Sequence, residues 1–179
     1  MMVMNQPFTT ASPYLVNYDY NDVDSGLGFK IFYGIVYETS GGIAYQLNET
    51  NIEGKGAGGE AKVGGTATLN LSPFNKTKTI RGTAFIDMIY VASSGASSQK
   101  VMIYHVDGTT TTPTDISGGG ITAGTISSAL DNPITFPVEL TTKNFKVGDY
   151  LRIVLSGGSY VYASLANPCK FHIPFELNL

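Results

Sequence analysis

Gly28-Phe29-Lys30-Ile31-Phe32-Tyr33-Gly34-Ile35-Val36-Tyr37-Glu38-Thr39 is the stretch that decides the fold class. Phe29, Ile31, Tyr33, Ile35 and Tyr37 fall on one parity, and Phe32 and Val36 fall on the other. A period of two is the signature of a strand. A strand apolar on both faces is covered on both, which predicts a sandwich interior on one side and a neighbouring segment or subunit on the other. Ser40-Gly41-Gly42 then reverses the chain into Ile43, Tyr45 and Leu47, a hairpin signal. Upstream, Tyr14, Val16, Tyr18 and Tyr20 share one face of a first strand, with Asn17 and Asp19 on the other.

The same period recurs to the end of the chain. A glycine-rich, aperiodic loop is expected over 48–65, and Ala67, Leu69 and Leu71 then resume alternation. Residues 79–92 read as a long strand with a bend or bulge at Gly82, and 99–106 as another. Asp107-Gly108 is the strongest two-residue hairpin dipeptide present. A second glycine loop is expected over 117–124, and residues 126–130 could form one helical turn. Ile134, Phe136, Val138 and Leu140 alternate, as do Leu151, Ile153 and Leu155, and a tight turn at 156–159 leads into a short strand over 160–165. The chain closes on Phe171, Ile173, Phe175, Leu177 and Leu179 in strict alternation, a strand that should be paired and buried. Pro174 has no amide hydrogen to give a ladder, so its position must face outward or sit at a bulge. Nine or ten short strands at this spacing predict an all-β fold, an antiparallel two-sheet β-sandwich of jelly-roll type. One such domain spans 14–179, behind an N-terminal extension or arm over 1–13.

Composition agrees. In 179 residues, 14% are charged, against roughly 25% in an average soluble domain. Twenty-one Gly, 19 Thr and 14 Ser stand in their place, which disfavours long helices and favours strands joined by turns. A net charge of −3 leaves no footprint for nucleic acid, and the one local basic cluster, Lys76, Lys78 and Arg81, reads as a solvated face. No apolar run reaches the ~18 residues that span a bilayer, and the start of the chain has neither the basic region nor the apolar stretch of a secretory signal. Cys169 is the only cysteine, so no intramolecular disulfide forms, and synthesis and folding in a cytoplasm is the plain reading. The sequons at Asn48, Asn70 and Asn75 are no more than this composition produces by chance.

Chemistry is sparse. His105 and His172 are placed on the polar parity of their strands, with no nucleophile pattern beside them, and read as structural or surface histidines. Cys169 and His172, three apart in a strand, point to opposite faces and cannot pair catalytically. Asp19, Asp22 and Asp24, with Asn21, are the one candidate for calcium, but they fall short of a complete ligand loop and double as turn residues. The expectation is therefore no catalytic residue, no metal and no cofactor, and a hydrolase is disfavoured for want of a catalytic constellation.

Asn144-Phe145-Lys146-Val147-Gly148-Asp149-Tyr150-Leu151-Arg152-Ile153, followed by Asn167-Pro168 and Ile173-Pro174-Phe175-Glu176-Leu177, resembles the C-terminal part of small jelly-roll structural proteins of tailed bacteriophages, which decorate capsids or build tail and fibre modules. The resemblance implies a virion protein that is not an enzyme: an auxiliary or decoration subunit on the capsid surface. It would assemble in the host cytoplasm and contact the major capsid protein or another virion protein. A homo-oligomer, a trimer, is expected, with no nucleic acid and no membrane as partner. The alternative is a glycan-binding receptor-recognition module of a phage fibre or tail, with Tyr160 and Tyr162 as the stacking residues.

Overall fold

Four residues on four strands, Phe32, Phe171, Ile86 and Phe136, stand side by side in register and are buried to 3% exposure or less. They form the spine of the first of two sheets that a single parallel bridge joins into one mixed, twelve-stranded sheet. The computed structural model describes residues 27–40, 42–54, 62–63, 66–91, 98–122, 131–157 and 160–176. The expected arm over 1–13, the strand around Tyr14–Tyr20, Asp19, Asp22 and Asp24, the turn at 126–130, and Leu177 and Leu179 lie outside the described residues.

The described strands, in chain order, are β1 (Leu27–Thr39), β2 (Gly42–Asn48), β3 (Lys62–Val63), β4 (Ala67–Asn70), β5 (Lys78–Val91), β6 (Lys100–Val106), β7 (Pro113–Asp115), β8 (Ile121–Thr122), β9 (Asp131–Phe145), β10 (Tyr150–Ser156), β11 (Tyr160–Tyr162) and β12 (Cys169–Glu176). No helix occurs among the described residues, hence none long and apolar enough to cross a membrane. The first sheet runs β2-β1-β12-β5-β9, with β11 and β3 continuing from the far end of β5. The second is β4-β10-β6, with β7 and β8 both on β6. Every pairing is antiparallel except a single parallel bridge, Gln46 to Asn70, which joins the two sheets along one seam.

The inner row of the second sheet is Leu69, Ile153 and Ile103, all fully buried. Gly34 shows where the two inner faces meet. A Cβ on Gly34 would lie 3.0 Å from Leu69 Cδ2 of the opposite sheet and 3.3 Å from Phe171 Cε2, so the gap has no room for a side chain. The inward face of β1 is therefore the less apolar parity: Phe32, Gly34 and Val36 are buried, while on the other parity Phe29, Ile31 and Tyr33 are half-buried, Ile35 is buried and Tyr37 is exposed. The expectation of cover on both faces holds in part. Segment 51–54 folds across β1, where a Cβ on Gly54 would meet the Val36 carbonyl oxygen at 2.2 Å.

The closing strand is the best-embedded of those expected. β12 lies between β1 and β5, with Phe171 and Ile173 fully buried and Phe175 nearly so. Its ladder to β5 shifts between His172 and Phe175, where Ile173 and Pro174, the residue that cannot donate, stand opposite four residues of β5, Arg81 to Ala84, so the extra residues of the bulge are on β5. A second shift on β5 coincides with Gly82 at φ 95°, the bend expected there. Asp107-Gly108 departs from expectation. It opens a six-residue connection between Val106 and Pro113, with Thr111 at φ 55°, in place of a two-residue turn. The Asp107 carboxylate accepts the amides of Thr109 (2.8 Å) and Thr110 (2.9 Å), and these bonds, which hold it below the usual carboxylate range, fold the loop back on itself.

Candidate functional site

Two of the buried polar residues, His105 and Asp149, meet where β6 ends, while Gln99 lies at the other end of that strand. His105 lies on the inward row of β6 with Val101 and Ile103, not on the polar parity expected for it, and is 6% exposed. Its ring stands edge-on to Phe145, 4.7 Å between centroids. Nε2 donates to Asp149 Oδ2 at 2.7 Å, across 44 residues of sequence. Asp149 Oδ2 also accepts the Lys146 amide (2.9 Å), and Oδ1 accepts the Gly108 amide (3.1 Å). Burial works against ionisation of this carboxyl, but the histidine bond and the two amides outweigh it and hold the group down at about 2.

The pair fastens three connections together. Gly108 passes so close to the turn at Gly148 that a Cβ on it would come within 2.2 Å of the Gly148 carbonyl oxygen, which demands glycine. Gly148 takes φ 94°, and its amide donates to the Phe74 carbonyl at 2.9 Å, while the Phe74 amide donates to the Asp149 carbonyl at 2.9 Å. The segment after β4 is thus tied to the same turn. Nothing in the sequence marks this partnership except the polar residues themselves, because the partners sit on different connections. His105 Nδ1 has no hydrogen-bond partner among the described residues, and its cross-strand neighbour Thr114 is not bonded to it. The arrangement can position loops and hold a proton; by itself it does not make a nucleophile.

The other residues singled out by sequence are scattered. His172 lies on the outer face of β12, with Nε2 3.0 Å from Asp87 Oδ2, and Asp87 Oδ1 accepts the Thr135 hydroxyl at 2.7 Å. Cys169 points the opposite way, fully buried, and burial, with Asp87 nearby, pushes its thiol far above its ordinary range. Tyr160 is 44% exposed on β11 and Tyr162 is half-buried. Of the sequon asparagines, Asn70 is engaged by Arg152, whose Nε donates to Oδ1 at 2.8 Å, while Asn48 and Asn75 border an open cleft. No group of three or more His, Cys, Asp or Glu is placed to hold a metal among the described residues.

That cleft, about 990 Å³, opens between the start of β1, the end of β2, the segment 71–78 and the end of β12. Its floor is Leu47, Leu71, Phe74 and Phe175, the last two with ring centroids 6.0 Å apart. Phe74 in turn stands edge-on to Phe145 at 5.4 Å, so the floor rests on the ring that packs against His105. Sequence reasoning missed the cleft altogether, because its walls come from four separate parts of the chain.

No family model and no curated protein matches this sequence. Solved structures do match it. A CocE/NonD family hydrolase from Staphylococcus aureus is similar with a TM-score of 0.63 and 11% identity, covering 83% of this chain and 37% of that one. An α-amino acid ester hydrolase gives 0.57 and 12%, with 82% and 36% covered. An aminopeptidase from the marine sediment archaeon Thaumarchaeota archaeon gives 0.58 and 9%, with 85% and 37% covered. At such identities the likeness establishes a shared fold, and the chain spans little more than a third of the length of these proteins. The likeness corrects the functional expectation. The structures it resembles are hydrolases, which overturns the readings as a capsid decoration subunit, as a glycan-binding fibre module with Tyr160 and Tyr162, and as a protein with no part in enzyme chemistry. The resemblance that suggested them rested on apolar residues, Gly and Pro in β9, β10 and β12, a pattern that any sandwich of this topology needs.

Proposed function

We propose that the chain serves the hydrolysis of acyl bonds as the β-sandwich portion of a hydrolase of the CocE/NonD kind. The observation that carries the reading is the likeness, over more than four fifths of this chain, to about a third of each of three different hydrolases. One of these is named for α-amino acid esters and another is an aminopeptidase, so the proposed substrate is an acyl derivative of an amino acid, ester or amide. The bond-breaking groups then come from the part of such an enzyme that lies beyond the sandwich, since no hydroxyl or thiol is hydrogen-bonded to the His105–Asp149 pair among the described residues.

The sandwich has a face suited to that association. Ile31, His172, Phe85 and Pro137 form the outer row of the first sheet, one residue along from the buried spine. Phe85 is 39% exposed and stacks at a tilt on Phe29, 5.9 Å between centroids, an aromatic pair of the type that anchors interfaces. The test is to recover the tagged protein from the cells in which it naturally occurs. Hydrolysis of phenylalanine methyl ester and phenylalanine 4-nitroanilide is then measured against an untagged control. Activity that co-purifies with the tag, and is lost with Phe85→Asp, is the expected result; hydrolysis no faster than the control overturns the reading.

A further inference from the structure

We infer that the cleft between β1, β2, β12 and the segment 71–78 binds a small organic carboxylate with an apolar body, such as an arylalkanoate. The inference rests on the cleft's own chemistry and stands whether or not the hydrolase reading does. The floor is apolar and rigid: Leu47 and Leu71 are buried in the core, and the rings of Phe74 and Phe175 are braced by Phe145 and Phe32. Its volume, about 990 Å³, lies at the upper end of the roughly 300–1,000 Å³ typical of small-ligand sites.

The rim selects the charge. Both acidic residues that line the cleft are already engaged: Glu49 with Lys30, and Glu176 with Arg81 at 3.7 Å. Lys30 is held further in place over the Phe32 ring, 5.6 Å from its centroid. Lys76 and Lys78 also line the cleft and have no ion-pair partner among the described residues. Two uncommitted ammonium groups above an aromatic floor attract an anion whose remainder is apolar, and repel a cation of the same shape. Lys76 and Lys78 are also not left to wander with their loop. The backbone between Leu71 and Phe74 is bonded to Leu151 (2.9 Å) and to the Asp149 and Gly148 positions, which the His105–Asp149 pair secures. The cluster that reads in sequence as a solvated face becomes one wall of a concave site.

The test is calorimetric titration of the protein with 4-phenylbutyrate and, separately, with its neutral counterpart 4-phenylbutyramide. The acid is expected to bind saturably, and the amide about tenfold more weakly, since it forgoes the charge-assisted contact. Replacing both lysines (Lys76→Ala with Lys78→Ala) leaves the melting temperature unchanged, because both side chains are exposed, and brings acid and amide to the same affinity. A second variant, Ser72→Trp, fills the mouth of the cleft from an exposed position and abolishes binding of both compounds without touching the lysines. Equal binding of acid and amide by the natural sequence, acid binding that survives the double lysine replacement, or no saturable binding at all would each overturn the inference.

Discussion

Two rows of side chains cross the first sheet one residue apart and meet opposite fates. Phe32, Phe171, Ile86 and Phe136 are sealed against the second sheet, while Ile31, His172, Phe85 and Pro137, on the same four strands, face outward. Apolar content does not separate them on β1, where the outward parity is the richer one. The separation comes from Gly34, which lets Leu69 of the opposite sheet approach on one side only. The inner row belongs to folding. The outer row, where exposed Phe85 stacks on half-buried Phe29, is the face proposed for contact.

The first way to break that contrast is to truncate each row. Phe171→Ala should cost about 3–5 kcal/mol, as large-to-small core changes do, a large share of a domain's ~5–15 kcal/mol. Urea denaturation would read this as a midpoint shift with the slope unchanged. Asp149→Asn, at the sandwich end, should cost about 2–3 kcal/mol by removing the charge and putting an amide donor where Oδ2 accepts from the His105 ring and the Lys146 amide. It should also alter the acid limb of stability. The carboxyl is held at about 2 against an ordinary 3.8, so its stabilisation is complete above about pH 4 and drains away as the pH falls toward 2. The natural protein should therefore lose of order 1–2 kcal/mol across that window, and the variant should show a flatter dependence there.

Gly34→Ala sharpens the comparison from the other direction. It inserts a methyl between the sheets at 3.0 Å from Leu69 and should cost about 1–3 kcal/mol, read by thermal melting. Phe85→Asp, in the outer row, should cost about 1 kcal/mol, for the loss of its ring contact with Phe29, while eliminating co-purified hydrolysis. Equal destabilisation by Phe85→Asp and Phe171→Ala would erase the distinction between the rows.

The strands were legible because their signals are local. Alternation in Gly28–Thr39, in Leu151, Ile153 and Leu155, and in Phe171, Ile173 and Phe175 needs no knowledge of partners, and Pro174 and Gly82 mark where ladders shift by what their backbones cannot or can do. Which face turns inward was not legible, since Leu69 closes on Gly34 from 35 positions away in the chain. The parity of His105 is not legible either, since a polar ring in an alternating strand reads as sharing the polar face. Its burial depends on Asp149, 44 residues on, and on the amides of Gly108 and Lys146. The cleft was invisible for the same reason: Leu47, Phe74, Lys76 and Phe175 converge only once both sheets are formed. Function was misread because an apolar-Gly-Pro rhythm specifies a sandwich and carries no information about what the sandwich is attached to.

The most direct test sets an outer-row variant against a conservative inner-row one, Phe85→Asp against Ile86→Val, neighbours on β5. Each is recovered from the cells of origin, melted, and assayed for co-purified hydrolysis of phenylalanine methyl ester. Ile86→Val should melt a few degrees lower, for a loss of about 0.5–1.5 kcal/mol, and keep the activity. Phe85→Asp should melt within a few degrees of the natural protein and carry none. Full activity with Phe85→Asp would contradict the assignment of the outer row to contact with the catalytic portion of a hydrolase.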